Sequence, residues 1–167
     1  MLMENDATAI LYRPLSNYAY GNLDSVFDMM NDPNALVGLG DGGAHVGVLT
    51  DASAVTYMLT HWARDRSRGA RFSVTDAIKR LTSDNANAIG LKDRGILKVG
   101  KKADINVINF SKLKINTPEV LYDLPSGGRR MVQRIYGYDA TIVSGEVVSK
   151  IGKPTEALPG RLVRGPR

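Results

Sequence analysis

The chain has 167 residues, 43% hydrophobic and 23% charged, enough for one ordinary domain with a core or for a small domain with an appendage. Its 22 lysines and arginines against 17 acids give a formal charge of +5, spread over Arg64 to Arg71, Arg129 to Arg134 and the tail, which is too mild and too dispersed to call for nucleic acid. The lack of cysteine excludes disulfides, thiolate metal sites and cysteine nucleophiles and fits a cytoplasmic location, while no apolar run reaches the length of a bilayer, so no membrane partner is expected.

Leu23 to Met30 reads as a short helix that stops at "NDPN", where Pro33 disfavours the helical conformation in Asp32. "ALVGL", residues 35–39, has the look of a buried parallel strand opening into a glycine-rich loop. From Asp51, a plausible N-cap, a stronger helix places Val55, Met58, Leu59 and Trp62 on one buried face and runs out near "RDRSRG". Ser73 caps the next helix, with Asp76 in a shortened capping box and Val74, Ala77, Ile78 and Leu81 in one stripe; a third helical turn ends at Gly90. Beyond Gly90 the pattern turns to β: two strands about a Gly-Lys-Lys turn in "GILKVGKKADINVINF", then further strands with a hairpin at Ser144-Gly145. "EALPGRLVRGPR" shows no periodicity and reads as an irregular strap or a loose end.

The stretch with the most chemistry is "VGLGDGGAHV", residues 37–46. Gly38, Gly40 and Gly43 satisfy a dinucleotide fingerprint. That reading fails because the next helix begins only near Asp51, and Asp41 would put a negative charge where a pyrophosphate has to sit. Two readings stay open. One is a tight turn in which Asp41 bonds its own backbone. The other sets Asp41 at the carboxyl end of a barrel strand, where it would ligate a divalent metal and carry a proton from water to a departing amine.

"GLGDGGAHVG", followed by a helix and then "LTSDNANAIGLKDRGILKVGKKADINVIN", resembles the carboxyl-terminal part of the amidohydrolase superfamily, in particular its N-acyl-D-amino-acid deacylase (D-aminoacylase-like) branch. The more specific motif is the second, in the order Thr82, Gly90-Leu91, Asp93-Arg94-Gly95, Gly100, Ala103-Asp104. The resemblance implies an α/β plus β chain: residues 1–94 as the last β/α elements of a metal-dependent hydrolase TIM-like barrel, and residues 95–167 as strands and tail of a small β-sandwich. It implies zinc as the metal, Asp41 as metal ligand and acid/base, and an N-acyl amino acid as the small-molecule substrate; it assigns nothing to His45, which lacks the partners of a metal ligand in this chain and is expected to be a loop-ordering or substrate-facing residue. Asp104 is expected to serve a turn or an edge rather than catalysis.

The family's early H-x-H pair and mid-barrel histidines have no counterpart, since His45 and His61 are the two histidines of the chain, and a whole barrel takes about 250 residues. The expectation is therefore a carboxyl-terminal segment that is inactive alone, with exposed strand edges as a route to a homo-oligomer. Family members often carry proline and alanine shortly after the threonine at 82; here Asn85 precedes Ala86. His61 is expected to be a partly exposed helix residue, Tyr18 and Tyr20 to pack in a loop, and Arg64, Arg66, Arg68 and Arg71 to form a solvated face. Two further classes remain open: another amidohydrolase branch (cyclic amidase, dihydroorotase-like or deaminase), or a non-catalytic binding module.

Overall fold

A computed structural model describes residues 9–11, 16–18, 20–38 and 45–164. The chain divides into two compact units, Met1–Ala35 and Leu36–Arg167. In the first, α1 (Asp24–Asn31) starts where the Asn22 side chain accepts a hydrogen bond from the Asp24 amide at 2.9 Å. The helix stops at Asp32, whose ψ of 132° is the extended conformation that a following proline imposes.

The second unit opens with residues 36–38, which form no strand. Leu36 is 58% exposed, and the expectation of a buried parallel strand there is corrected. An apolar run becomes a buried strand only where neighbours pair its backbone groups, and here it is a side chain, the Asn85 amide, that donates to the Val37 carbonyl at 2.8 Å.

Helices follow. Asp51 lies in a 3₁₀ turn (Asp51–Ser53) and makes no cap; the helix proper begins with α2 (Ala54–Tyr57) and continues as a π-helical stretch, Met58–Asp65. α3 (Val74–Lys79) passes into a second π-helical stretch, Arg80–Asp84, and then α4 (Asn85–Ala88). Each widened stretch contains a threonine whose hydroxyl bonds the carbonyl four residues back: Thr60 to Thr56 at 3.1 Å, and Thr82 to Ile78 at 2.6 Å. Such a hydroxyl competes with the main-chain ladder, and a longer-ring bond such as Arg66 N–H to the His61 carbonyl, 2.9 Å, takes its place. Ser73 caps α3 as expected, accepting from the Asp76 amide at 3.0 Å.

The core gathers on these helices: Met58, Leu59 and Trp62 pack with Phe72, Ala77, Ala86 and, from the β half, Leu113. Val55, Val74 and Ile78, expected on the same buried faces, are exposed. The cations border the core by stacking: Arg66 over Trp62 at 4.8 Å and Arg80 over Phe72 at 4.6 Å.

Strands occupy the rest. A four-stranded antiparallel sheet has the order β1 (Ile105–Ile108), β6 (Tyr138–Val143), β7 (Glu146–Lys150), β8 (Lys153–Pro154). Two antiparallel pairs accompany it: β2 (Lys114–Ile115) with β5 (Ile135–Tyr136), and β3 (Glu119–Leu124) with β4 (Gly128–Val132). The hairpin at Ser144-Gly145 forms as read, with both residues at positive φ (52° and 88°) and Val143 opposite Glu146. Asp104 braces that turn, accepting from the Ser144 amide at 2.8 Å. The expected strand through 96–99 does not form; Leu97 and Val99 are 85% and 100% exposed. No helix among the described residues is long and apolar enough to cross a membrane.

Candidate functional site

Asp41 lies outside the described residues, so the site is built from the two ends of its loop. At the entry, the Asn85 amide holds the Val37 carbonyl, and a Cβ on Gly38 would meet that same nitrogen at 3.6 Å, ordinary contact. At the exit, His45 takes a positive φ of 50°, and its carbonyl accepts from the amides of Val48 (2.8 Å) and Leu49 (3.0 Å). The next carbonyl, Val46, accepts from the Met131 amide of β4 at 2.6 Å. One end of the loop is therefore tied to a helix and the other to a strand.

His45 is exposed, and its contribution to the loop in this structure is through its backbone. Beside the exit lies a cleft of about 260 Å³ between Val46, Leu49 and Asp51 on one side and Arg130, Met131 and Gln133 on the other. Its arginine is already committed: the Arg130 guanidinium bonds both oxygens of Asp123 at 2.7 Å, and holds that carboxyl below the usual carboxylate range. The rest of the lining is mixed: Val46, Leu49, Met131 and Ile135 give apolar surface, and Asp51, Gln133 and the hydroxyls of Thr50 and Ser53 give polar groups.

His61, the second histidine, is half-buried on the π-helical stretch. It stacks on Tyr57 (ring centroids 4.7 Å) and meets Trp62 edge-on at 4.9 Å, and its Nε2 is buried without a hydrogen-bond partner. Burial first, and then the charge of Arg66, push its pKa below the ordinary 6.5, against an opposing pull from Asp65. A neutral imidazole wedged between aromatic rings is a packing residue.

Among the described residues no group of three or more histidine, cysteine, aspartate or glutamate side chains is placed to hold a metal ion. These residues therefore do not fit a zinc site. Of the two histidines, His45 is exposed and His61 has its ring nitrogen enclosed.

Two functional details escaped the sequence reading. Asn85 had a visible signal, because it stands where the family pattern often has proline, and a proline there would have no amide to reach Val37. Arg64 had none. It was expected on a solvated face, yet its guanidinium donates to the carbonyls of Phe110 (2.6 Å) and Leu113 (2.8 Å), bonds Asp65 at 2.7 Å and lies 5.5 Å from the Phe110 ring centroid, stapling the helix to the 3₁₀ turn Phe110–Lys112 and the residue that follows it. Arg66 is buried against Trp62 and donates to the Ala70 carbonyl at 3.0 Å. Tyr18 and Tyr20 are exposed.

Residues 9–149 match the model of a family described as the amidohydrolase family. No curated protein and no solved structure matches the chain.

Proposed function

This chain belongs to the amidohydrolase family, and from that membership we infer that it is the carboxyl-terminal part of a metal-dependent hydrolase acting on the amide bond of N-acyl-D-amino acids. The observation that carries the hydrolase part of the reading is the family match over residues 9–149, which takes in both the Asp41 loop and the "GLKDRGILKVGKKADINV" motif; the substrate rests on the resemblance of those two motifs to the N-acyl-D-amino-acid deacylase branch. In this reading the helices between 51 and 88 are the last β/α portion of a TIM-like barrel, and the strands from 105 onward belong to a small β-sandwich. Zinc, as the resemblance implies, would be held by Asp41 with ligands supplied from beyond this chain, and would activate the attacking water when bound.

The part this chain plays is a proton's path and a substrate's seat. Asp41 accepts the proton of the attacking water and delivers it to the departing amine nitrogen, a role that suits a carboxylate whose loop is anchored at both ends. His45 faces the substrate from the same loop. The cleft beside Val46, lined by both apolar and polar side chains, has the volume for part of an acyl chain or amino-acid side chain.

The test is an assay of the full-length gene product on N-acetyl-D-amino acids, their L enantiomers and cyclic ureides. D-selective release of the free amino acid is expected, and Asp41→Asn should lower kcat by about 10²- to 10⁴-fold. Turnover of cyclic ureides alone would move the protein to a cyclic-amidase branch, and no turnover of any of them would favour a binding module. The 167-residue chain by itself should neither turn over substrate nor bind zinc tightly in calorimetry; robust turnover by it would overturn the claim that it is one part of the enzyme.

A further inference from the structure

A second cleft, of about 350 Å³, lies between the turn Gly90–Arg94 with Lys102 and the segment Arg161–Arg164. Five of its ten lining residues are cations: Lys92, Arg94, Lys102, Arg161 and Arg164. One, Asp93, is an acid. Elsewhere in the described residues the arginines near acids are neutralised by them, as Arg64 is by Asp65, Arg80 by Asp76 and Arg130 by Asp123. Around this cleft Lys92, Arg161 and Arg164 have no carboxylate partner among the described residues, and Lys102 has no ion pair but lies near enough to Asp93 to favour its charged form. Four like charges set round one concavity repel each other and raise the local concentration of anions.

The inner wall is rigid. The Leu91 amide is bonded to the Ala86 carbonyl at 2.8 Å, the Lys102 amide to the Asp93 carbonyl at 2.8 Å, and the Lys101 ammonium to the Lys92 carbonyl. The facing segment carries its two guanidinium groups with no hydrogen bond among the described residues, leaving their donors available. Arg94 is occupied: Nε and Nη2 take the two oxygens of Asp93 at 3.0 Å each, and Nη1 takes Asp104 at 3.2 Å. Asp93 thus fills, from within the chain, the kind of place a forked guanidinium offers to an external oxyanion. Leu91, Leu162 and Val163 supply apolar surface beside the cations.

We propose that this cleft binds a small phosphate monoester, its dianionic phosphoryl group held by Lys102, Arg161 and Arg164 and its apolar body resting on Leu91 and Leu162. A dianion is specified because the unpaired cations outnumber what a monocarboxylate would neutralise. Planar guanidinium groups favour oxyanions that accept two hydrogen bonds at once.

The probe is phenyl phosphate, titrated into the purified chain by calorimetry at low salt, with inorganic phosphate, benzoate and a short DNA duplex as comparisons. Saturable binding of phenyl phosphate at least tenfold tighter than benzoate is expected, weakening as salt is raised. Lys102→Met and the double change Arg161→Ala with Arg164→Ala should each weaken it about tenfold. Asp93→Asn, which removes the cleft's acid and frees the Arg94 fork, should tighten it several-fold; this gain cannot come from a misfolded variant. The proposal is overturned by no saturation below about 10 mM, by equal affinity for benzoate, by binding of the duplex alone, or by affinity unmoved in all three variants. Inorganic phosphate binding as tightly as phenyl phosphate would remove the role given to the leucines.

Discussion

Gly137, between β5 and β6, tests the packing of the β half against the core. Its φ is 100°, and its carbonyl accepts the Asn109 amide at 2.8 Å. A methyl group added there would lie 2.6 Å from Leu113 Cα, 2.8 Å from Leu113 N and 3.1 Å from the Asn109 carbonyl oxygen. All three are main-chain atoms that cannot rotate away, and Leu113 is 1% exposed. In Gly137→Ala the left-handed backbone costs about 1–2 kcal/mol, and crowding a packed site adds about 1–3 kcal/mol. Gly152 separates the two terms: its φ is 72°, but nothing lies within 4 Å of its would-be Cβ, so Gly152→Ala carries the backbone term alone. Urea unfolding of the two variants should show Gly137→Ala the less stable by about 1–3 kcal/mol. Equal losses, within about 0.5 kcal/mol, would mean that the close approach to Leu113 does not exist in solution.

Arg64→Met removes two hydrogen bonds from a cation to main-chain carbonyls and should cost about 2–4 kcal/mol in the same assay, with Arg64→Lys recovering less than half; a loss under about 0.5 kcal/mol would return Arg64 to the solvated face. His61 has a folded pKa below its unfolded value of 6.5, so the unfolded chain takes up the proton more readily: its contribution to stability is complete above about pH 6.5 and is lost as pH falls through the folded value. Denaturation midpoints from pH 7.5 down to 5 should therefore decline less steeply in His61→Gln, and an unchanged slope would contradict the enclosed neutral ring. Asn85→Ala should lower global stability by about 1 kcal/mol while speeding amide exchange in residues 36–38, and identical exchange would show that the Val37 bond does not hold the loop entry.

What could be read in advance was whatever is satisfied within a few residues. Pro33 acts on its neighbour, the Ser73 hydroxyl reaches three residues on, and Ser144-Gly145 bends the chain by its own dihedral angles; each stands where it was expected. The stripes fared less well, because spacing says which side of a helix is apolar but not whether anything covers it: Met58 and Leu59 are covered, while Val55 and Val74 are not. Residues 96–99 are apolar enough for a strand, but a strand also needs a partner, and β1 found its partner in β6, more than thirty residues further on. Arg64, near the end of the second helix, reads as surface from its charge alone because the carbonyls of Phe110 and Leu113 that it binds arrive from a distant part of the chain. The family was legible in the sequence motifs; the bonds at Asn85 and Met131 depend on long-range pairing that no local pattern encodes.

The four-stranded sheet has unlike flanks. On one side β8 is two residues long and contains Pro154, whose nitrogen has no hydrogen to offer a newcomer; on the other, β1 runs four residues with one row of amides and carbonyls unanswered by any strand of its sheet. Growth by strand addition is thus one-sided. Two copies meeting through β1 would use up the receptive flank of each and leave only proline-blunted rims outward, so lateral joining through this sheet stops at a pair instead of running on into a fibre.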